Sequence, residues 1–486
     1  MHFMSRLSGA ALMFLSALAL PACKSPPTEA GLFPAASLQA DFDQLYASLK
    51  AAHFDLYIHR SPAEYDALHA DMRAALTEPM TKTEAEIRFQ KFMAFGRVAH
   101  SNIAFPSADW QAYRAEGGTA LPLSIRYIGD RLMIASDMTG NSPSLAGAEI
   151  LSLNGVAAAE LEARLSANLS ADNTYLARTM LEFRFIPLLW LELGSPAEYV
   201  LELADTEGAR RTVTVPALPR DQLAAGDAGF ELDWDERRYE IMSNIGYLRP
   251  GPFYNNEPGA EDMWDNSAFT AFIDEAFSAF LAADVPAVLI DIRANPGGDN
   301  SFSDHMVAWY ADQPFRFGSN FFIRVSQQAA ASNARRLTPG DTVSISARFA
   351  AAFADAAPGD IIDFDLGDTP PRDGPRYEGR VYLLIDRHSY SNTVTVAALS
   401  QDYGFARIIG EETSDLASTH GAMEQFTLPR TGIVVNFPKA HIIRPSGDIA
   451  SRGVIPEVEI IAPLRSAQDD SLAAALGMIR REVEVQ

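Results

Sequence analysis

Apolar positions recur at helical spacing over residues 36–110 of the chain. Further on they alternate or form unbroken runs. Phe42, Leu45, Tyr46 and Leu49 fall on one helical face, as do Tyr65, Leu68, Met72 and Leu76. Ser61-Pro62-Ala63-Glu64 reads as a capping box with proline at the first helical position. Thr81 to Phe95 makes a third helix, which Gly96 ends. The pattern predicts an N-terminal helical domain over 36–110.

Over 118–217 the pattern changes. Leu121 to Ile128 and Arg131 to Ser136 read as strands flanking Gly129-Asp130, and Tyr199 to Leu203 with Arg211 to Val215 as a closing hairpin. Between them lies Gly147-Ala-Glu149-Ile-Leu-Ser-Leu-Asn154-Gly155, followed by a helix from about Ala157 to Leu165. That run resembles the second half of a PDZ domain and implies a PDZ-like β-rich domain, although a peptide-carboxylate loop is not recognisable. Residues 218–240 form an acidic linker. Over 241–465, strand Ile245–Leu248, helix Ser267–Ala283 and strand Ala287–Ile290 follow in β-α-β order, which predicts a largely parallel sheet. Val381 to Ile385 is a second wholly apolar strand. A helix follows it, then strands at Ala406–Ile409 and around Glu424–Leu428 and Gly432–Phe437. Ser301 to Arg376 is a long insertion with no assigned structure, and 466–486 is a terminal helix. The whole predicts a multidomain α/β protein.

Composition adds limits. The chain has 486 residues, 48% hydrophobic and 21% charged, with a net charge of −24. That balance fits a globular protein and excludes a nucleic-acid surface. Residues 1–23 read as an export signal: Arg6 precedes the apolar core Leu7–Leu20, which is too short to span a bilayer as a mature helix. The core ends in Leu20-Pro21-Ala22-Cys23, which resembles a bacterial lipobox. Cys23 is the only cysteine, so it has no disulfide role. The expectation is a protein secreted across the cytoplasmic membrane and lipid-anchored through Cys23. It would be periplasmic or outer-membrane associated in a bacterium, with 24–35 as tether. The alternative is an ordinary secretory signal cut near Ala22.

Two strand-to-turn segments carry the chemistry. Val288 to Gly298 runs from a buried strand into Asn295-Pro296-Gly297-Gly298, whose glycines let backbone N–H groups face a ligand. Ser389-Tyr390-Ser391-Asn392 follows the Val381–Ile385 strand and feeds a helix. A serine there either caps the helix or acts as a nucleophile. Together with Gly410-Glu411-Glu412-Thr413, these segments resemble the S41 peptidases, the family of C-terminal processing and tricorn-type proteases. The resemblance covers nearly all of the chain beyond the export signal. It implies a ClpP/crotonase-like α/β catalytic domain with Ser391 as nucleophile. It also implies an oxyanion site from the N–H groups of Gly297 or Gly298 and of Asn392.

Serine needs a base. One branch of the family uses a lysine a few residues past the Gly-Glu-x-Thr turn, where this chain has Ser414-Asp415-Leu416-Ala417. Of the five lysines, only Lys439 remains as a candidate of that kind. The tricorn-like branch uses a histidine ahead of the β-rich region. The corresponding residues here, Gly96-Arg97-Val98-Ala99-His100-Ser101, make His100 the expected base. Ser101, Glu411, Glu412 and Glu424 are candidates to orient it, and His388, His420 and His441 are rivals. No metal-ligand spacing or nucleotide loop occurs, so no cofactor is expected. The resulting expectation is a serine endopeptidase acting on peptide or protein substrates. The alternatives are a catalytically inactive relative that binds peptides or apolar ligands, and an esterase-type acyl hydrolase.

Overall fold

A computed structural model of the chain describes residues 31–141, 143–224, 230 and 232–484. The export signal, Cys23 and most of the tether lie outside the described residues. Three sheets organise the rest.

The central sheet is built on the two apolar runs. Strand Ala287–Asp291 pairs in parallel with Arg380–Ile385, Val381 lying opposite Val288 and Leu384 opposite Asp291. Ile245–Arg249 and Arg238–Met242 extend the sheet on one side, the latter antiparallel, and Arg407–Gly410 and Val458–Glu459 on the other. Both faces are covered, which is why these strands read as unbroken apolar runs. Val288 and Ile290 pack against Phe269, Ile273 and Phe277 of helix Ser267–Ala282. Ala287 and Leu289 face the other way, onto Ala475 and Ile479 of helix Asp470–Glu484. Because the two runs are parallel neighbours, the turns that follow them emerge side by side at the carboxyl edge of the sheet.

The N-terminal helices, Ala35–Ala52, Pro62–Ala74 and Lys82–Phe95, form as the pattern predicts. Both capping boxes close. The Glu64 carboxylate accepts from the Ser61 N–H at 2.8 Å, and the Glu84 carboxylate from the Thr81 N–H at 2.8 Å. Gly96 ends the third helix for a different reason from the one expected. Its φ is −68°, and the left-handed residue is Arg97 at φ 55°. A side chain at Gly96 would run into the Tyr65 hydroxyl.

These helices do not close a core by themselves. Phe42, Leu45, Phe89 and Phe92 share one cluster with Phe321, Ile323, Val435 and Phe437. Those residues belong to an antiparallel sheet ordered Ile361–Asp363, Asn320–Arg324, Val434–Ile443, Thr419–Thr427. The insertion at 301–376 thus supplies two of the strands and the helices Asn300–Ala308, Gln327–Ala334 and Ile345–Ala354.

The region 118–217 forms the third sheet. Leu123–Ile128, Arg131–Asp137, Glu149–Leu153, Glu198–Ala204 and Arg210–Pro216 lie in that order. Its core also takes in a 20-residue helix, Thr174–Leu193, that the hydrophobic pattern does not reveal. Apolar residues occur on several faces of this helix, and Pro187 lies inside it where a break is expected. Leu181, Phe185 and Leu188 face the third sheet. Tyr175 and Glu182 reach the central domain instead, at the Glu412 carbonyl (3.1 Å) and at Arg387 (3.0 Å).

Candidate active site

The Asp291-Ile-Arg293 portion of the first turn is structural. Burial opposes ionisation of Asp291, but Arg293 and Arg249 overcome this and hold its carboxyl below the ordinary value. Arg293 bonds Asp291 at 2.9 and 2.6 Å and reaches Asp469 at 2.8 Å. Asn295 then organises the turn. Its Nδ2 donates to the Gly251 carbonyl (2.7 Å), and its carbonyl accepts from the Tyr390 N–H (3.0 Å). Its Oδ1 accepts from the Gly297 N–H at 2.9 Å.

Both glycines are required. Gly297 has φ +87° and Gly298 +143°. A Cβ on Gly297 would lie 2.7 Å from the Asn392 nitrogen and 3.0 Å from Ser391 Cβ, and one on Gly298 would collide with the Phe253 carbonyl. The expectation for the oxyanion donors changes here. The Gly297 N–H is committed to Asn295, so Gly297 serves close approach. The N–H groups of Gly298 and Asn392 have no hydrogen-bond partner among the described residues.

The second turn separates its two serines. Ser389 is fully buried; its hydroxyl donates to the Ile292 carbonyl (2.9 Å) and accepts from the Asp386 N–H (3.1 Å), tying the two turns together. Ser391 precedes helix Asn392–Tyr403 with φ 55° and ψ −125°, and its side chain caps nothing. A strained backbone that aims a free hydroxyl outward is the arrangement of a nucleophile elbow. The Ser391 N–H donates to Asp415 Oδ2 at 2.7 Å, while Asp415 Oδ1 accepts from the Leu416 N–H at 2.9 Å.

Across from it, His100 Nε2 lies 3.3 Å from Ser391 Oγ. The loop bearing His100 is clamped from three directions. Asp172 Oδ2 accepts from the Ala99 N–H (3.1 Å), the Ser170 hydroxyl donates to the Ser101 carbonyl (2.6 Å), and Asn102 pairs with Asn436. The His100 ring stacks on Tyr390 with centroids 5.5 Å apart. Burial pushes its pKa below the usual value, opposed by Asp172 and by the backbone at His420, so the imidazole is neutral near pH 7. His100 Nδ1 is buried without a partner within bonding geometry. The pKa of Asp172 is pushed up to about 6 by burial and by Asp415, and burial does the same to Asp415.

The other candidates are engaged elsewhere. Glu411 chelates Arg387, Glu412 pairs with Arg452, and Glu424 binds Arg336 and Lys439. None of the three touches His100, because each already neutralises a guanidinium or an ammonium. Lys439 is buried under Glu424 (2.6 Å), 4.1 Å from the Phe349 ring centroid, and not bonded to Ser391. His388 pairs with Glu182 at 3.1 Å. His420 and His441 stack on each other at 4.6 Å, and burial drives the pKa of His420 down to about 3. Ser101 takes part through its carbonyl. Sequence reasoning missed Asp415 and Asp172. For Asp415 a signal existed: it stands two residues past the Gly-Glu-Glu-Thr turn, in the segment searched only for lysine. Among the described residues no group of histidines and carboxylates is arranged to hold a metal.

A strained serine, a neutral imidazole beside it and two free N–H groups next to it form a site of the serine-hydrolase class. The family model of peptidase family S41 matches residues 244–460. Over that stretch the chain is similar to that family of serine-type peptidases. No curated protein sequence matches it. Among solved structures it is similar to mature CPAF, with TM-score 0.62 and 16% identity, over 87% of this chain and 92% of that one. Mature CPAF complexed with lactacystin also matches, with TM-score 0.62 and 16% identity, over 92% and 98%. A serine-to-alanine mutant of CPAF gives TM-score 0.58 and 16% identity, over 88% and 93%. At these identities the likeness establishes a shared multi-sheet α/β fold.

Proposed function

We propose that the chain is an extracytoplasmic serine endopeptidase in which Ser391 is the nucleophile and His100 its base. The observation that carries this reading is the 3.3 Å approach of His100 Nε2 to a Ser391 hydroxyl that has no structural duty. His100, neutral at pH 7, takes the hydroxyl proton as Oγ attacks the peptide carbonyl. The same nitrogen then returns that proton to the leaving amine, and water repeats the cycle on the acyl-enzyme. The negative charge on the tetrahedral oxygen falls to the N–H groups of Gly298 and Asn392. Asp415 holds the Ser391 backbone in its strained conformation, and Asp172 holds the His100 loop. Residues 118–217 act as a PDZ-like module, and the histidine base assigns the chain to the tricorn-like rather than the lysine-using branch.

Ser391→Ala is expected to abolish hydrolysis of an unfolded protein substrate while leaving the thermal unfolding transition in place. Hydrolysis that persists in that variant overturns the assignment. Export and anchoring through Cys23 belong to the same proposal and rest on the Leu20–Cys23 motif. Cys23→Ser is expected to move the protein from the membrane fraction to the soluble one, and unchanged partition contradicts anchoring.

A further inference from the structure

A histidine that serves as base needs its ring held in place, and a carboxylate at the second ring nitrogen is the usual means. His100 has none. With Nε2 facing the Ser391 hydroxyl, the ring hydrogen sits on Nδ1, which is buried with no hydrogen-bond partner among the described residues. The two carboxylates nearby are bonded to backbone, Asp172 to the Ala99 N–H and Asp415 to the N–H groups of Ser391 and Leu416. The His420 backbone acts on the ring, but no bond closes at Nδ1. What the imidazole does have is Tyr390. The two rings stack 22° from parallel with centroids 5.5 Å apart. Tyr390 is itself fixed between the two serines of the second turn. Its N–H donates to the Asn295 carbonyl (3.0 Å), and its carbonyl accepts from the Thr393 N–H (3.1 Å). Its side chain packs in a small cluster with Ala99, Ala171 and Leu176. The ring therefore cannot withdraw from His100 without disturbing Ser389 or Ser391. An aromatic face within about 6 Å also attracts the positive charge that the imidazole gains on taking the serine proton.

We propose that Tyr390 is a positioning residue: its ring, in place of a carboxylate, holds the His100 imidazole toward Ser391 and stabilises the imidazolium. This role rests on the reading of His100 as base, but the stacking is tested without turnover. The titratable groups that face His100 are Asp172, ahead of helix Thr174–Leu193, Tyr390 on the second turn and His420 on strand Thr419–Thr427. Asp172 and His420 are present in every variant of Tyr390, so a change in the titration of His100 reports the lost ring.

The test uses the full chain with isotope-labelled histidine and follows the His100 ring by NMR as the pH is lowered, its signal assigned with His100→Gln. Tyr390→Leu keeps the position apolar and removes the ring, so the charged imidazole loses its attraction. That variant is expected to titrate at His100 about half a pH unit or more below wild type. Fluorophosphonate labelling of its Ser391 should slow about tenfold or more, with thermal unfolding showing a folded protein. Tyr390→Phe returns the ring and should restore both. Tyr390→Met replaces the leucine variant if that one does not fold. A His100 titration that is unchanged or raised without the ring, one that the phenylalanine variant does not restore, or labelling as fast without the ring as with it overturns the inference. A lowered titration in a chain whose wild type takes no label sinks the endopeptidase and keeps the stacking role. Labelling of the wild type with an unshifted titration does the reverse.

Discussion

Ser391 Oγ and His100 Nε2 stand 3.3 Å apart although 291 residues separate them in sequence. The serine comes from the parallel sheet and the histidine from a loop bonded to the antiparallel one. The site is therefore assembled between separate cores, and each partner depends on a carboxylate outside the pair. Asp415 accepts the Ser391 N–H and Asp172 accepts the Ala99 N–H.

Removing the Asp415 acceptor frees a strained backbone. Asp415→Ala is expected to lower kcat by about ten- to a hundredfold, the cost of losing a charge-assisted hydrogen bond of about 1.5–3 kcal/mol, with KM little changed. Steady-state kinetics on a fluorogenic peptide checks this, and an unaltered kcat contradicts the positioning role.

The pH dependence follows from the lowered pKa of His100. The neutral ring is the base, so activity is full above its pKa and lost as the ring takes a proton at lower pH. Burial moves that point down, so the acid limb of kcat/KM should have its midpoint below 6.5. A midpoint above 6.5 contradicts a buried base.

Gly298→Ala should damage both fold and site. Its φ of +143° suits only glycine, and a methyl group meets the Phe253 carbonyl. A loss of about 2 kcal/mol or more in unfolding free energy is expected, together with loss of hydrolysis. Chemical denaturation measures the first, and a fully stable variant would show that the turn can relax.

Acid should weaken the protein through its buried histidines. His53 is buried, and its pKa is driven down to about 3 by burial and by its neighbours His420 and Arg324. Unfolding releases this ring to an ordinary pKa near 6.5, so between about 3 and 6.5 the unfolded state binds the extra proton. Stability from this group is full above 6.5 and falls by about 1.4 kcal/mol per pH unit below it. His53→Leu should flatten the fall in Tm between pH 6.5 and 4.5, and an unchanged slope contradicts the assignment.

Much of this was legible in the sequence because burial on both faces leaves a plain mark. Val288–Ile290 and Val381–Ile385 read as strands, and the turns after them had to be neighbours once those strands were parallel. His100 was reachable only through resemblance, since nothing local distinguishes it from a helix-end histidine. Helix Thr174–Leu193 stayed hidden because it serves two cores and so lacks a single apolar stripe. Lys439 and Glu424 looked available because sequence shows charge but not pairing. In the fold each is the other's counter-ion. Gly297 was expected as a donor, yet Asn295 two residues earlier takes its N–H.

The most direct measurement is peptide mapping by mass spectrometry after treatment with a fluorophosphonate. The wild-type chain is expected to carry one adduct, on Ser391, and folded His100→Ala protein to carry none on the same timescale. An adduct on another serine, or labelling of Ser391 that is as fast without His100, would contradict the pair as the catalytic centre.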